Sequence, residues 1–363
     1  MRLALTGGGT GGHIFPALAV LEAVRAASPS PVEVCFFGPE NRGERPLVES
    51  AAVPFEAVPS AGLRGRGPVG LARSAWSLLA GVVAAIRKLR RFSPDVVFST
   101  GGYGSFPASV AARLLRRPLV VYLPDVQPGW AVKAERLLAT RMTTTTEAAL
   151  RFLPAKKTVV TGYPVRETFF TVSREEARDQ FGFGPEERVV VIAGASQGAR
   201  VINGAVFDAL PGLCRKATVV HVAGEAGIEA ARRVRDALPA DVQARYQPSP
   251  FRADLPLLML AADAGVFRAG ASVLGELPAA ALPSVLIPGT FAGGHQRNNA
   301  RWLADNGAAV VLEEQEIGTL GERLGELLAD NARREAMRAA ARALARPGAA
   351  SAIAKVVMEV ART

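Results

Sequence analysis

Short runs of almost wholly apolar residues recur along the chain, each closed by a turn signal, and longer stretches with apolar residues at helical spacing lie between them. Met1 to Thr6 is the first run; it passes into Gly7-Gly8-Gly9-Thr10-Gly11-Gly12 and then into a helical pattern from Phe15 to Ala26. Val32 to Phe37 is the next and ends at Gly38, and Pro94 to Ser99 and Leu119 to Tyr122 follow. Helical patterns over Ser74 to Arg91 and Pro107 to Leu115 separate them. Strands that are apolar at successive positions are covered on both faces, and strands alternating with helices predict an α/β chain with a doubly wound parallel sheet.

The pattern then restarts. Thr158-Val159-Val160 leads to Gly162-Tyr163-Pro164-Val165-Arg166, and Arg188 to Ala193 runs into Gly194-Ala195-Ser196-Gln197-Gly198. Further strands are expected at Thr218 to Val222, Ala264 to Phe267 and Ser284 to Ile287. Pro164 removes a backbone donor and biases Tyr163 away from helix, which places the boundary there. The expected division is 1–162, 163–345, and a C-terminal helix over 346–363 that packs back toward the first domain.

Composition narrows the chemistry. Of 363 residues 49% are hydrophobic and 21% charged, enough apolar material for two cores. Cys35 and Cys214 stand far apart inside apolar stretches, which excludes a disulfide framework and fits a reducing compartment. Three histidines (His13, His221 and His295) argue against a multi-histidine metal centre. The net charge of +10 points to nucleic acid, an anionic membrane surface or a phosphorylated substrate. With 6% aromatic residues and no aromatic platform near the arginines, nucleic acid is the weakest of the three. The start carries no signal-peptide pattern, and Ser74 to Ile86 is too short to span a bilayer, so a soluble or peripheral protein is expected.

Gly7-x-Gly9-x-x-Gly12 formally matches the dinucleotide fingerprint, but Gly38 stands where an acidic ribose ligand would be expected. That disfavours a nicotinamide or flavin oxidoreductase. Thr100-Gly101-Gly102-Tyr103-Gly104-Ser105 and the turn from Gly194 to Gly198 repeat the strand–glycine–helix arrangement. A turn that only lets a helix pack on a strand explains one such loop and explains three poorly. Glycine loops at the carboxyl ends of parallel strands expose backbone amides to phosphate, so a large phosphate-bearing ligand, or two, is implied.

Gly8 to Ala17, Thr100 to Pro107 and Gly194 to Arg200 closely resemble the loops of the MurG family of peptidoglycan N-acetylglucosaminyltransferases. The likeness continues through Ala61-Gly62-Leu63-Arg64-Gly65, Thr161 to Arg166, Arg268-Ala269-Gly270-Ala271-Ser272 with Glu276, and His295-Gln296-Arg297-Asn298-Asn299-Ala300. These motifs stand in the family's order over about residues 3 to 310. The resemblance implies a GT-B fold, two Rossmann-like domains facing a central cleft, with no cofactor and no metal. It implies an inverting transferase that moves N-acetylglucosamine from UDP-N-acetylglucosamine to the muramoyl 4-hydroxyl of a polyprenyl-diphosphate-linked acceptor, lipid I. It also implies a peripheral position on the cytoplasmic face of the cell membrane.

The resemblance assigns roles position by position. His13 is the family's candidate general base, a role that suits a group titrating near neutrality. Donor contacts fall on Thr10, Gly11, Gly12, Arg166, Ser196, Gln197, Gly198, Glu276, His295 and Gln296, with Glu276 taking the ribose hydroxyls and Ser196 the diphosphate. Acceptor contacts fall on Gly101, Gly102, Tyr103 and Asp125. The family's His-Glu-Gln-Asn before Pro-Gly is replaced here by Tyr122-Leu123-Pro124-Asp125, so the donor motifs are better kept than the acceptor motifs. Asp125 either stabilises the imidazolium formed on His13 or is itself the base. A transferase for another lipid acceptor and a UDP-sugar epimerase stay open as alternatives. Trp76, Leu79, Val82, Val83, Ile86 and Leu89 repeat at helical spacing ahead of Arg90 and Arg91. They form either a core-facing stripe with cations at the helix end or a ridge for an anionic membrane.

Overall fold

A computed structural model of the chain describes residues 1–8, 11–39, 43–62, 67–194, 200–290 and 294–362. Contacts divide it into two compact units, Met1–Val165 with Gly348–Thr363, and Arg166–Pro347.

The first unit is built on seven strands: β1 (Arg2–Thr6), β2 (Glu33–Gly38), β3 (Phe55–Ala57), β4 (Val96–Ser99), β5 (Leu119–Leu123), β6 (Arg141–Thr144) and β7 (Thr158–Val160). They lie in the order β3-β2-β1-β4-β5-β6-β7, all parallel. Leu3 pairs with Val34 on one side and Val96 on the other, so chain order reverses between β1 and β4. Every residue of β4 and β5 is buried, because helices cover both faces. On one face Ala4, Val97, Val121 and Met142 meet Ala85 and Leu89 of helix Pro68–Phe92 and Ala108, Ala111 and Ala112 of helix Phe106–Leu114. Helix Ala349–Ala361 returns to this unit and packs on helix Gly11–Ala27, burying Ile353 and Val357.

The second unit repeats the plan with β8 (Val189–Ala193), β9 (Thr218–Val222), β10 (Tyr246–Ser249), β11 (Ala264–Arg268), β12 (Ser284–Ile287) and β13 (Ala309–Val311). The order is β10-β9-β8-β11-β12-β13, again parallel, with the reversal between β8 and β11.

Thr158-Val159-Val160 is the edge strand of the first sheet, with Met142 opposite Thr158. Three strands, β3, β6 and β10, carry no apolar run long enough to announce them. β6 reads Arg-Met-Thr-Thr, and β10 contains Pro248, which an edge strand tolerates because its missing donor faces no neighbour. Both cysteines are buried and free; burial pushes Cys35 up to about 12 and Cys214 to about 11. Among the described residues no helix is long and apolar enough to cross a membrane.

Candidate active site

At a reversal of strand order the loops after the two central strands splay apart, and ligands bind there. In the first unit those loops follow β1 and β4. Gly101 and Gly102 adopt φ of 80° and 84°, the left-handed region that glycine enters without steric cost. A Cβ on Gly102 would stand 2.2 Å from the carbonyl oxygen of Gly8 and 3.2 Å from Cδ2 of His13. The two loops therefore press together only because no side chain is present.

His13, half-buried in the first turn of helix Gly11–Ala27, is tied to the second loop twice. Its Nδ1 lies 2.8 Å from the carbonyl oxygen of Thr100, and Thr100 Oγ1 donates to the His13 carbonyl at 2.6 Å. A carbonyl only accepts, so Nδ1 bears the proton and Nε2 presents a lone pair.

The loop after β5 carries Asp125, half-buried, as is Tyr103. Tyr122, Leu123 and Pro124 are buried, leaving Asp125 and Gln127 as the partly open positions of this stretch. The Tyr122 hydroxyl lies 2.7 Å from Thr145 Oγ1 and donates to the Gly162 carbonyl at 3.2 Å. Burial holds that hydroxyl's pKa well above its ordinary value, and the charge of Asp125 adds to the push.

In the second unit Glu276 occupies the first turn of helix Val273–Ala280, behind Ser272. Burial raises the pKa of its carboxyl, while a hydrogen bond from Ser272 and the charge of Arg166 pull the other way, so Arg166 and Glu276 share one neighbourhood. Arg166 is exposed and donates to the Ala253 carbonyl at 3.1 Å. His295 and Gln296 open helix His295–Asp305. Gln296 Oε1 accepts from the Gly289 amide at 2.8 Å and Asn299 Nδ2 donates to the Ala269 carbonyl at 3.1 Å, so this helix staples the loops after β12 and β11. Arg268, at the end of β11, pairs with Glu314 at 2.6 Å. Thr10, Ser196, Gln197 and Gly198 lie outside the described residues. His221 belongs to no loop edge; buried on β9, it lies 2.9 Å from Tyr246 Oη and 3.1 Å from Asn203 Oδ1, and burial lowers its pKa to about 4.

Sequence reasoning passed over Glu135. This fully buried carboxyl on helix Trp130–Leu138 accepts from the hydroxyls of Ser99, Ser105 and Ser109, directly behind the loop that follows β4. Burial pushes its pKa up to about 7, against the pull of the three serines. The signal was present: Glu135 falls on the same face of the helical pattern as buried Ala131 and Val132.

Helix Pro68–Phe92 carries two apolar stripes rather than one. Leu78, Ala85 and Leu89 are buried, so Leu89 belongs to the core and not to the ridge. Trp76 is 73% exposed, Leu79 63% and Val83 49%. Arg73, Arg87, Arg90 and Arg91 are exposed along the same helix.

The profile of the Glycosyltransferase family 28 N-terminal domain matches residues 3–144, and that of the family's C-terminal domain matches residues 188–356. A protein of Roseiflexus sp. (strain RS-1) is 36% identical, over 89% of this chain and 85% of its own. It is named UDP-N-acetylglucosamine--N-acetylmuramyl-(pentapeptide) pyrophosphoryl-undecaprenol N-acetylglucosamine transferase. A protein of the same name from Bacillus subtilis (strain 168) is 34% identical, over 89% of this chain and 88% of its own. Among solved structures, MurG of Acinetobacter baumannii is similar with a TM-score of 0.77 at 24% identity, over 99% of both chains. The UDP-GlcNAc 2-epimerase of Neisseria meningitidis, bound to UDP-GlcNAc, reaches 0.67 at 16% identity, over 99% of this chain and 100% of that one. Likeness at these identities speaks for the GT-B fold, which transferases and epimerases share.

Proposed function

This chain belongs to glycosyltransferase family 28, and from that premise we propose that it transfers N-acetylglucosamine from UDP-N-acetylglucosamine to the muramoyl 4-hydroxyl of an undecaprenyl-diphosphate-linked muramoyl-pentapeptide, yielding lipid II for peptidoglycan. The observation that carries this reading is the naming of relatives for that reaction at 34% and 36% identity over nine-tenths of the chain. The epimerases share only the fold, at 16% identity.

In this reading His13 Nε2 takes the proton of the acceptor hydroxyl as its oxygen bonds to C1 of the donor sugar. The bond from C1 to the UDP oxygen breaks, and the configuration at C1 inverts. Base assistance matters because an unionised sugar hydroxyl is a poor nucleophile. Glu276 accepts the two ribose hydroxyls, with Arg166 alongside; Ser196, Gln197 and Gly198, ahead of helix Arg200–Leu213, take the diphosphate. Thr10, Gly11 and Gly12 border the donor. His295 and the amide nitrogen of Gln296 meet the sugar hydroxyls, while the oxygen of Gln296 accepts from the Gly289 amide. On the acceptor side Gly101 and Gly102 approach the lipid diphosphate, Tyr103 flanks it, and Asp125 faces the hydroxyl.

A lipid-carried acceptor requires contact with the bilayer. The exposed ridge of Trp76, Leu79 and Val83, followed by Arg90 and Arg91, supports a peripheral attachment to anionic lipid on the cytoplasmic face. The burial of Tyr122, Leu123 and Pro124, where the family carries polar residues, favours one second reading, a different polyprenyl-linked acceptor. Incubation with labelled UDP-N-acetylglucosamine decides. Release of UDP that depends on the lipid-linked muramoyl-pentapeptide supports the transfer. Release only with another polyprenyl acceptor supports the second reading, and a free epimer without acceptor overturns both.

A further inference from the structure

Glu135 takes no part in the chemistry above, yet a carboxyl buried among apolar helices is costly unless hydrogen bonds compensate it. Its three donors come from the two elements that bound the loop over 99–105. Ser99 closes β4, Ser105 precedes helix Phe106–Leu114, and Ser109 lies on that helix. The distances to Oε1 are 3.1, 2.7 and 2.6 Å. Ser99 Oγ also accepts from the Gly101 amide at 3.1 Å, and Ser105 Oγ lies 2.8 Å from the Gly102 carbonyl oxygen. A serine ahead of a helix ordinarily caps a backbone amide with its side chain. Ser105 makes no such cap; its hydroxyl is spent on Glu135 and Gly102 instead. One turn earlier on the Glu135 helix, Val132 Cγ2 stands 2.7 Å from where a Cβ on Gly101 would be. The helix thus meets the loop at Ser99, at Gly101 and at Ser105.

We propose that Glu135 is a positioning residue for the acceptor: through Ser99 and Ser105 it holds the Gly101–Gly102 backbone in the form that receives the acceptor's diphosphate, and through the Thr100 carbonyl it holds His13. The inference rests on the transfer reading for its acceptor and on geometry alone for its loop. The force travels over short covalent paths. Ser99 is bonded to Thr100, whose carbonyl orients the imidazole, and Ser105 lies three residues beyond Gly102.

Three variants of the full chain test this. Ser105→Ala and Glu135→Ala are each expected to raise the acceptor KM at least tenfold and to speed amide hydrogen exchange over 99–105 at least tenfold. The UDP dissociation constant should stay within twofold of the parent's. Glu135→Gln, which keeps an amide oxygen for the serines, recovers most of the acceptor KM. Ser105→Ala removes no helix cap, so it serves if Glu135→Ala fails to fold. An acceptor KM within twofold of the parent in Ser105→Ala overturns the proposal. So does unchanged exchange over 99–105, or a UDP dissociation constant that rises in step with KM. If the parent itself transfers nothing to the lipid-linked acceptor, the transfer reading falls by that result, and the exchange comparison still decides whether Glu135 holds the loop.

Discussion

Nδ1 of His13 and the carbonyl oxygen of Thr100 lie 2.8 Å apart, and because that oxygen can only accept, the pair sets the tautomer of the imidazole. The ring nitrogen left with a lone pair is Nε2, the one a base needs. His13→Gln removes the base, and the lost hydrogen bond costs stability only about 0.5–1.5 kcal/mol. Its kcat should fall by roughly 10²- to 10⁴-fold, while calorimetry finds UDP binding unchanged. A variant that keeps more than a tenth of parental turnover removes His13 from the role of base.

Glu276 carries the donor prediction. A carboxylate that accepts two ribose hydroxyls contributes about 1.5–3 kcal/mol per bond, so Glu276→Ala should raise the UDP dissociation constant at least tenfold. Burial raises the pKa of this carboxyl, so it takes up its proton at a higher pH than an ordinary glutamate. UDP affinity should therefore decline, as pH is lowered, before ordinary glutamates titrate, and Glu276→Gln should lack that decline. Calorimetry across pH reads both.

The two stripes of helix Pro68–Phe92 should separate under mutation. Trp76 and Leu79 are 73% and 63% exposed, so Trp76→Ser with Leu79→Ser, combined with Arg90→Glu and Arg91→Glu, should abolish sedimentation with anionic vesicles and leave the unfolding midpoint near the parent's. Turnover of a short-chain, water-soluble acceptor should survive. Leu89→Ala, on the buried stripe, should cost about 2–5 kcal/mol of stability and leave vesicle binding intact. Vesicle binding that persists in the fourfold variant assigns the membrane contact elsewhere.

The carboxyl of Glu135 sets a slope of stability against pH. Its value of about 7 in the folded chain exceeds the ordinary 4.5, so between those values the folded state binds more protons than the unfolded state. Stability then falls as pH rises through that window, by roughly 3 kcal/mol in all. Glu135→Gln has no such proton to lose. Its unfolding free energy, measured in urea at pH 4 and pH 8, should gain on the parent's by that order at the higher pH. Parallel curves for the two proteins remove the titration.

The central strands were legible because both their faces are covered. β1, β4, β8 and β11 announce themselves as apolar runs, and glycines at their carboxyl ends mark where the loops turn. Edge strands were less so, since β10 needs no apolar alternation and carries Pro248, and β7 is only three residues long. At the site, the resemblance to the MurG family pointed to His13 and Glu276. The partners that decide their chemistry are backbone atoms or distant side chains, such as the Thr100 carbonyl and Arg166, which spacing does not encode. Glu135 escaped for a related reason. A carboxyl amid Ala131 and Val132 reads as a break in an apolar face until the three serines from other elements are seen around it.

Asp125 and His13 remain the two candidates for the base, and one substitution separates them. Asp125 follows β5, His13 follows β1, and both strands end at the same edge of one parallel sheet. If Asp125 took the acceptor proton, an asparagine in its place would accept a hydrogen bond but could not carry the proton, and turnover would fall by about 10²-fold or more. If Asp125 only orients the acceptor hydroxyl, asparagine keeps an oxygen in the same place and turnover is largely retained. The geometry favours the second course. With Nδ1 protonated against Thr100, His13 Nε2 has the lone pair and half-buried setting that proton abstraction requires. Asp125→Asn is therefore expected to keep turnover within about tenfold of the parent, with most of the loss appearing in the acceptor KM. His13→Gln should lose turnover with little change in that KM. The double variant should be no slower than His13→Gln alone by more than the loss seen in Asp125→Asn, since the two residues then act in separate steps, binding and proton transfer. A fall of 10²-fold or more in Asp125→Asn, with His13→Gln still active, would exchange the two roles.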